Sequence, residues 1–170
     1  MKKIFLGLIA VAVLLTGAVS VSQAQVFKLS LWGDICIPNE SKTGGLELAI
    51  GTQTQEVIGV QLAFIYAQAD ELVGLQSALV SMTNNGQGVQ WSFVNLADKF
   101  QGAQLSAVNW SKDVTGFQLS WVNNAESING LQIGVVNIAG QMKGLQIGLV
   151  NIIKNNYEFF PVFPFFNFCF

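Results

Sequence analysis

Residues 130–155, GLQIGVVNIAGQMKGLQIGLVNIIKN, repeat themselves with few changes. The motif GLQIG-VN begins at Gly130 and begins again at Gly144, one 14-residue unit later. A recurring unit of this length decides the fold before any local pattern does. Eight units share the opening glycine, and they start at Gly45, Gly59, Gly74, Gly88, Gly102, Gly116, Gly130 and Gly144. Successive starts keep the same spacing, except that the unit between Gly59 and Gly74 is longer by a single residue.

Each position of the unit has a restricted composition. Position 1 is glycine, position 2 is apolar and position 5 is small in every unit, and positions 2, 4 and 6 alternate with 3, 5 and 7. This period of two predicts a strand of about six to eight residues in each unit. Asparagine at position 8, followed by polar residues at positions 11 and 12, predicts a turn. The glycine marks a point where the backbone turns or approaches a neighbouring strand closely.

Two of the columns consist of amides. Position 3 is glutamine in seven units, with Glu47 in the first, and position 8 is asparagine in the last five. In coils that stack in register about 4.8 Å apart, each amide lies above the next and hydrogen-bonds to it. The predicted ladder residues are Gln61, Gln76, Gln90, Gln104, Gln118, Gln132, Gln146, Asn95, Asn109, Asn123, Asn137 and Asn151. We therefore predict an all-β fold, a β-solenoid of about eight 14-residue coils with non-repeat caps.

An up-and-down antiparallel β-barrel of the outer-membrane type is the alternative architecture. The small residue at position 5 suits a narrow barrel interior, and the apolar positions 2, 4 and 6 suit contact with lipid. In a barrel, however, equivalent residues lie two strands apart, so a uniform glutamine column has no direct cause. Strand stagger also gives unlike connections at the two ends of a barrel, whereas the connections here look alike. The solenoid is the favoured prediction.

Three further segments flank or precede the repeat. Lys2, Lys3, the apolar run 4–15 and the small residues up to Ala24 predict a signal peptide over residues 1–24, which leaves a mature chain that begins near Gln25. Residues 25–44 are predicted to form an N-terminal strand or cap, residues 45–156 the repeat domain, and residues 157–170 a phenylalanine-rich cap or strand. A solenoid needs such caps because its end coils expose a sheet edge. A final aromatic strand that ends in Phe170 also resembles the C-terminal signal of bacterial outer-membrane barrels.

Composition excludes several classes of function. A net charge of −2 without a basic patch argues against a nucleic-acid partner. The chain has no histidine, no paired carboxylates on one strand face and no phosphate-binding loop. We therefore predict no enzyme activity, no cofactor and no metal site. The four tryptophans are predicted to pack in a core or an interface rather than to stack sugars, and they are Trp32, Trp91, Trp110 and Trp121. Two cysteines, Cys36 and Cys169, are too few for a disulfide framework, which leaves either two free thiols or one bridge that requires the two ends of the chain to meet.

The repeat GLQIGLVN, the segment LSLW near the start and the ending FNFCF together resemble a family of bacterial surface-repeat proteins. These are exported proteins of variable repeat number and unknown activity, found in spirochaetes, fusobacteria and Bacteroidetes-type genomes. The resemblance covers nearly all of the mature chain and implies a cell-envelope or surface protein of unknown biochemical activity, with no catalytic residues. We expect a structural or adhesive role for it. The expected location is the outer membrane or cell surface, with the periplasm as an alternative. Expected partners are the outer membrane, other surface proteins or a second copy joined through the end coils. A small structural or pore-forming barrel is the second expectation.

Overall fold

The computed structural model describes residues 25–33, 35–158 and 160–170, so the predicted signal peptide lies outside the described residues. Within these residues nine strands form one sheet in the order β2-β1-β3-β4-β5-β6-β7-β8-β9. Their bounds are β1 Gln25–Trp32, β2 Ile35–Ile37, β3 Lys42–Ser77, β4 Val80–Trp91, β5 Val94–Leu105, β6 Val108–Leu119, β7 Val122–Ile133, β8 Val136–Ile153 and β9 Val162–Cys169. Coils of about 14 residues stack into a β-solenoid. The solenoid prediction is confirmed, and the barrel alternative is wrong.

The register of the stack follows the sequence repeat. Strands β3 to β8 pair in parallel, and each residue faces its equivalent in the next coil, as Gly102 faces Gly116. The single longer unit does not disturb this register, because Tyr66 already faces Val80 at the ordinary interval of the repeat. Since Gln61 bonds to Gln76 at an interval of 15, the extra residue lies between Gln61 and Tyr66. The insertion is therefore confined to one bend of one coil.

One bend of each coil lies at positions 5 and 6, and the pairing between coils is interrupted again at position 11, where positions 11 and 12 both point outward. The asparagine at position 8 was predicted to begin a turn, and that part of the prediction is wrong. Strands β4 to β8 begin at position 7, and β4 to β7 end at position 4 of the following unit. The asparagine at position 8 points inward instead of making a turn. Asn123, for example, is fully buried, and its Nδ2 donates to the carbonyl of Ile133, 2.8 Å away at the start of the next bend. The small residue at position 5 is what allows the chain to bend there.

The glycine column is required by close contact between coils. Seven glycines, from Gly59 to Gly144, have φ between 127° and 147°, a region that side chains disfavour. A Cβ placed on Gly116 would lie 2.1 Å from the carbonyl oxygen of Gly102 in the coil before it. Any other residue would therefore both strain the backbone and push adjacent coils apart.

The apolar core is thin and lies beside the amide columns. Position 13 supplies its largest buried side chains, among them Phe100, Val114, Ile128 and Met142. Position 10 adds small buried residues such as Ala97 and Ala139. The rest of the interior is occupied by polar side chains, so hydrogen bonds complement apolar burial in holding the coils together.

The two ends of the stack are closed by different strands. At the N-terminal end β1 joins the stack in parallel, with Lys28 facing Glu47, and β2 pairs antiparallel with β1. At the C-terminal end β9 pairs antiparallel with β8, and Asn167 faces Gln146. The predicted N-terminal strand thus extends the repeat columns themselves. Cys36 lies in β2 and Cys169 in β9, at opposite ends of the sheet, so no disulfide joins them.

Candidate interaction surface

The glutamines of position 3 form one buried column along the solenoid axis. Each Nε2 donates to the side-chain oxygen of the preceding coil over 2.7–3.0 Å. The members are Gln61, Gln76, Gln90, Gln104, Gln118, Gln132 and Gln146, and all are fully buried. Because every donor points toward the N-terminal end, the column must begin with an acceptor.

Glu47 is that acceptor, and several side chains donate hydrogen bonds to it. Its carboxylate accepts from Gln61 at 3.0 Å, from the Thr54 hydroxyl at 2.9 Å and from the Ser30 hydroxyl at 3.1 Å. The Thr52 hydroxyl also donates to it. Lys28 Nζ lies 3.6 Å from Glu47 Oε1, and both residues are buried. Gln61 Nε2 and Lys28 Nζ cannot accept a hydrogen bond, so a glutamine at this position would turn its own N–H groups toward one of them, which explains the one carboxylate in the column.

The opposite end of the column is less complete. Gln146 Oε1 is buried and has no hydrogen-bond partner among the described residues. The cap residue opposite it, Asn167, uses its amide elsewhere: Nδ2 donates to the Phe160 carbonyl at 3.3 Å, and Oδ1 accepts from Phe168 N at 3.0 Å. The glutamine column is therefore anchored at its N-terminal end and only covered at its C-terminal end.

A second ladder runs in the opposite direction. Asn95, Asn109, Asn123 and Asn137 each donate to the asparagine of the following coil over 2.8–3.0 Å. Asn151 ends the ladder by donating to the Gly148 carbonyl at 2.8 Å and the Phe163 carbonyl at 3.2 Å. Since the two columns of amide dipoles point in opposite directions, their fields oppose each other. These ladder groups face the interior, so they carry the fold rather than a binding site.

Charged residues occupy one side of the solenoid only. Apart from the buried Glu47, every charged residue of the eight units lies at structural position 11, 12 or 14. Successive coils pair across this charged face, as in the 2.8 Å contact between Lys112 and Asp98. The hydrogen bond and charge of Asp98 raise the pKa of Lys112. A groove of about 580 Å³ runs along this face, with Asn85, Lys99 and Asp113 among its lining residues.

The remaining outer surface is uncharged and mostly apolar, with Gln53, Gln68, Ser77 and Asn124 as polar exceptions. We define the apolar ridge as the outward side chains at structural positions 2, 4, 6, 7 and 9, on the two faces that meet at the bend. None of these positions holds a charged residue in any unit. Trp91, Trp110 and Trp121 lie on the ridge and are 59–68% exposed, and Trp32 is 54% exposed. Packing of the tryptophans in the core is therefore wrong, because all four occupy outward positions.

Two features of the structure were not predicted from the sequence, the role of the buried Lys28 and the position of the apolar ridge. Lys28 lies further from Glu47 than one repeat unit, so the regular spacing did not reveal it as a member of the position 3 column. The ridge was missed because alternation identifies the two sides of a strand without saying which side faces inward. The amide ladders held the signal for that choice, since a ladder at positions 3 and 8 must be inside and its neighbours outside.

The described residues contain no group of three cysteine or carboxylate side chains placed to hold a metal ion. Across the same part of the chain, no helix has the length and hydropathy of a membrane span. In comparisons with known proteins the chain matches no family model, no curated protein and no solved structure. The resemblance to bacterial surface-repeat proteins therefore stays a prediction.

Proposed function

We propose that this chain is an exported, non-enzymatic protein of the cell envelope, with a structural or adhesive role at the outer membrane or cell surface. The observation that carries the proposal is the difference between the interior of the solenoid and its outer surface. In the interior, the amides of the ladders are hydrogen-bonded to one another. On the outer surface, the same kind of exposed side chain recurs in successive coils. Such a surface suits an extended partner better than a small substrate.

A pore is no longer the second candidate. A pore-forming role was expected only for a barrel, and the chain forms a solenoid whose interior is occupied by side chains. A catalytic role has little support either. The buried carboxylate of Glu47 is held by hydroxyls, Gln61 and Lys28 in the manner of a structural anchor, out of reach of a substrate.

Export is supported by the basic residues Lys2 and Lys3, the apolar run 4–15 and the small residues up to Ala24. The test is fractionation of the native host followed by mass spectrometry of the protein. We expect the protein in the envelope fraction with an N-terminus near Gln25. Intact Met1 on protein recovered from the cytoplasm would contradict export and an envelope role together.

A further inference from the structure

The area of the apolar ridge is the first reason to expect a partner on it. The eight units are about 4.8 Å apart and have two outward faces each about four residues wide, which gives roughly 1,000 Å² of uncharged, mostly apolar surface. The largest apolar patch on a typical soluble monomer is about 300–600 Å². The ridge exceeds that range along its whole length without interruption by a charge.

The apolar surface also continues over both caps. In β1, Phe27 faces Leu46 and Leu29 faces Leu48, and both cap residues are about half exposed. In β9, Phe168 faces Leu145 and Phe166 faces Ile147, which prolongs the columns of positions 2 and 4. Solenoids that work in water have terminal units with a polar outer face. The partner of this ridge must therefore cover the ends as well as the middle.

The shape of the ridge favours a lipid bilayer over a second copy of the chain as its partner. Its two faces meet at the bend of positions 5 and 6, so the surface is convex around the side chains there, such as Phe93 and Trp121. The surface of a second solenoid can cover one of these faces and leaves the other in water. A lipid bilayer surrounds whatever is immersed in it and covers both faces at once.

A backbone in contact with lipid needs a hydrogen-bond partner for each N–H group, because no water is present there. The N–H groups at the bends have such partners. Both Trp121 and Val122 donate their N–H to the Ala107 carbonyl of the preceding coil, at 3.1 and 3.2 Å. Val135 and Val136 likewise donate to the Trp121 carbonyl at 3.0 and 2.9 Å. The bends are thus hydrogen-bonded from coil to coil in the same way as the strands.

From these observations we infer that the apolar ridge inserts into the surface of a lipid bilayer. The solenoid axis lies along the membrane plane, the ridge lies among the acyl chains, and the charged face with Lys112 and Asp113 remains in water. Trp110, at position 9, lies on the side of the ridge nearest the charged face, and tryptophan is suited to such a boundary between lipid and water. This inference deepens the proposed envelope function by naming lipid as the partner, and it rests on that function for its biological setting.

The direct test uses the full chain and vesicles of phosphatidylcholine, with and without bromine on the acyl chains. All four tryptophans lie in the described part of the chain, so quenching by bromine shows that this part contacts the acyl chains. We expect quenching and a blue shift of the emission, with equal binding at low and high salt because the ridge carries no charge. Absence of quenching would overturn the inference.

Variants identify the surface that is responsible. Val135→Glu places a charge on the ridge at a bend, whereas Asn129→Glu places the same charge on the exposed charged face. We expect Val135→Glu to bind vesicles at least about tenfold more weakly than the parent and Asn129→Glu to bind equally well. Leu149→Glu, at the bend of the next coil, repeats the test, and circular dichroism checks that each variant is folded. The parent and the variants share residues 1–24, so any difference between them arises in the solenoid.

The alternative occupant gives a distinct result. If the parent forms a dimer in water that Val135→Glu dissociates, and neither binds vesicles, the ridge is an interface between copies and the inference is wrong. Vesicle binding that both ridge variants leave unchanged would also overturn it. A cytoplasmic location would instead contradict the envelope function and leave the vesicle measurements as they stand.

Discussion

Replacement of Gln104 by leucine tests whether the glutamine column holds the coils together. Gln104 lies in the middle of the stack and is fully buried. Its Nε2 donates to Gln90 Oε1 at 2.7 Å, and its Oε1 accepts from Gln118 Nε2 at 2.8 Å and from the Ser111 hydroxyl at 3.0 Å. Leucine fills a similar volume but breaks all three hydrogen bonds, so the substitution isolates the polar contribution.

The magnitude follows from the groups left behind. Gln90 Oε1, Gln118 Nε2 and the Ser111 hydroxyl each lose a partner inside the protein, at a cost of about 1–3 kcal/mol for each group. Burial of the leucine side chain offsets about 2 kcal/mol of that total. We therefore expect the free energy of unfolding to fall by about 4 kcal/mol.

The measurement is urea denaturation followed by circular dichroism, with Gln101→Leu as the matched control. Gln101 lies in the coil before Gln104 at position 14, where its side chain is exposed. The same chemical change there should alter the free energy of unfolding by no more than about 0.5 kcal/mol. If the two variants unfold at the same urea concentration, the glutamine column does not stabilise the solenoid and the reasoning fails.

Three further predictions follow from the ends, the glycines and the repeat. Lys28→Met leaves the buried Glu47 without its cation and should lower the free energy of unfolding, measured by urea denaturation, by about 3–5 kcal/mol. The double variant that also carries Glu47→Gln removes the unpaired charge and should recover part of this loss. Equal stability of the single and double variants would contradict this account. Gly116→Ala places a Cβ 2.1 Å from a carbonyl oxygen and should prevent folding or lower the melting temperature sharply, while Thr115→Ala at the neighbouring exposed position should have little effect. Duplication of residues 130–143 in place adds one coil and about 4.8 Å of length, and the duplicated protein should melt no lower than the parent; aggregation of this protein would show that coils are not independent units.

How far the sequence predicts this fold depends on which residues recur. The glycine and glutamine columns predict stacked coils because in-register stacking places identical residues next to each other, where glutamine side chains can hydrogen-bond in a ladder. The phase of strand and bend was not predictable from the same pattern. Asparagine is common in turns, and position 8 therefore suggested a turn, but in a ladder its amide can bond both the next asparagine and a bend carbonyl, as Asn137 does with Asn151 and Ile147.

The ends were less predictable than the middle for a physical reason. Within a repeat column, each side chain bonds to the same residue type in the next coil, so the sequence reveals the partner. At the end of a column there is no further coil, and a different residue must supply the hydrogen bond. Lys28 and Ser30 meet that need from β1, outside the eight units, so their spacing from Glu47 does not follow the repeat. Thr54 does follow it, because Thr54 stands to Glu47 as Ser111 stands to Gln104. At the other end Asn167 covers Gln146 without bonding its Oε1. Reading the ends requires the direction of the ladder, which only the three-dimensional structure provides.

The distribution of polar and apolar groups connects the fold with the proposed membrane contact. Most soluble proteins bury apolar side chains and expose polar ones. Here the amides of positions 3 and 8 are buried while the large aromatic side chains of Trp91, Phe93 and Trp121 are exposed. Hydrogen bonds between amides do not weaken when the outside of the coil leaves water, because their surroundings do not change. A solenoid held by internal ladders can therefore move its outer faces from water into lipid without repacking its interior, and this is the property that a membrane-docked repeat protein requires.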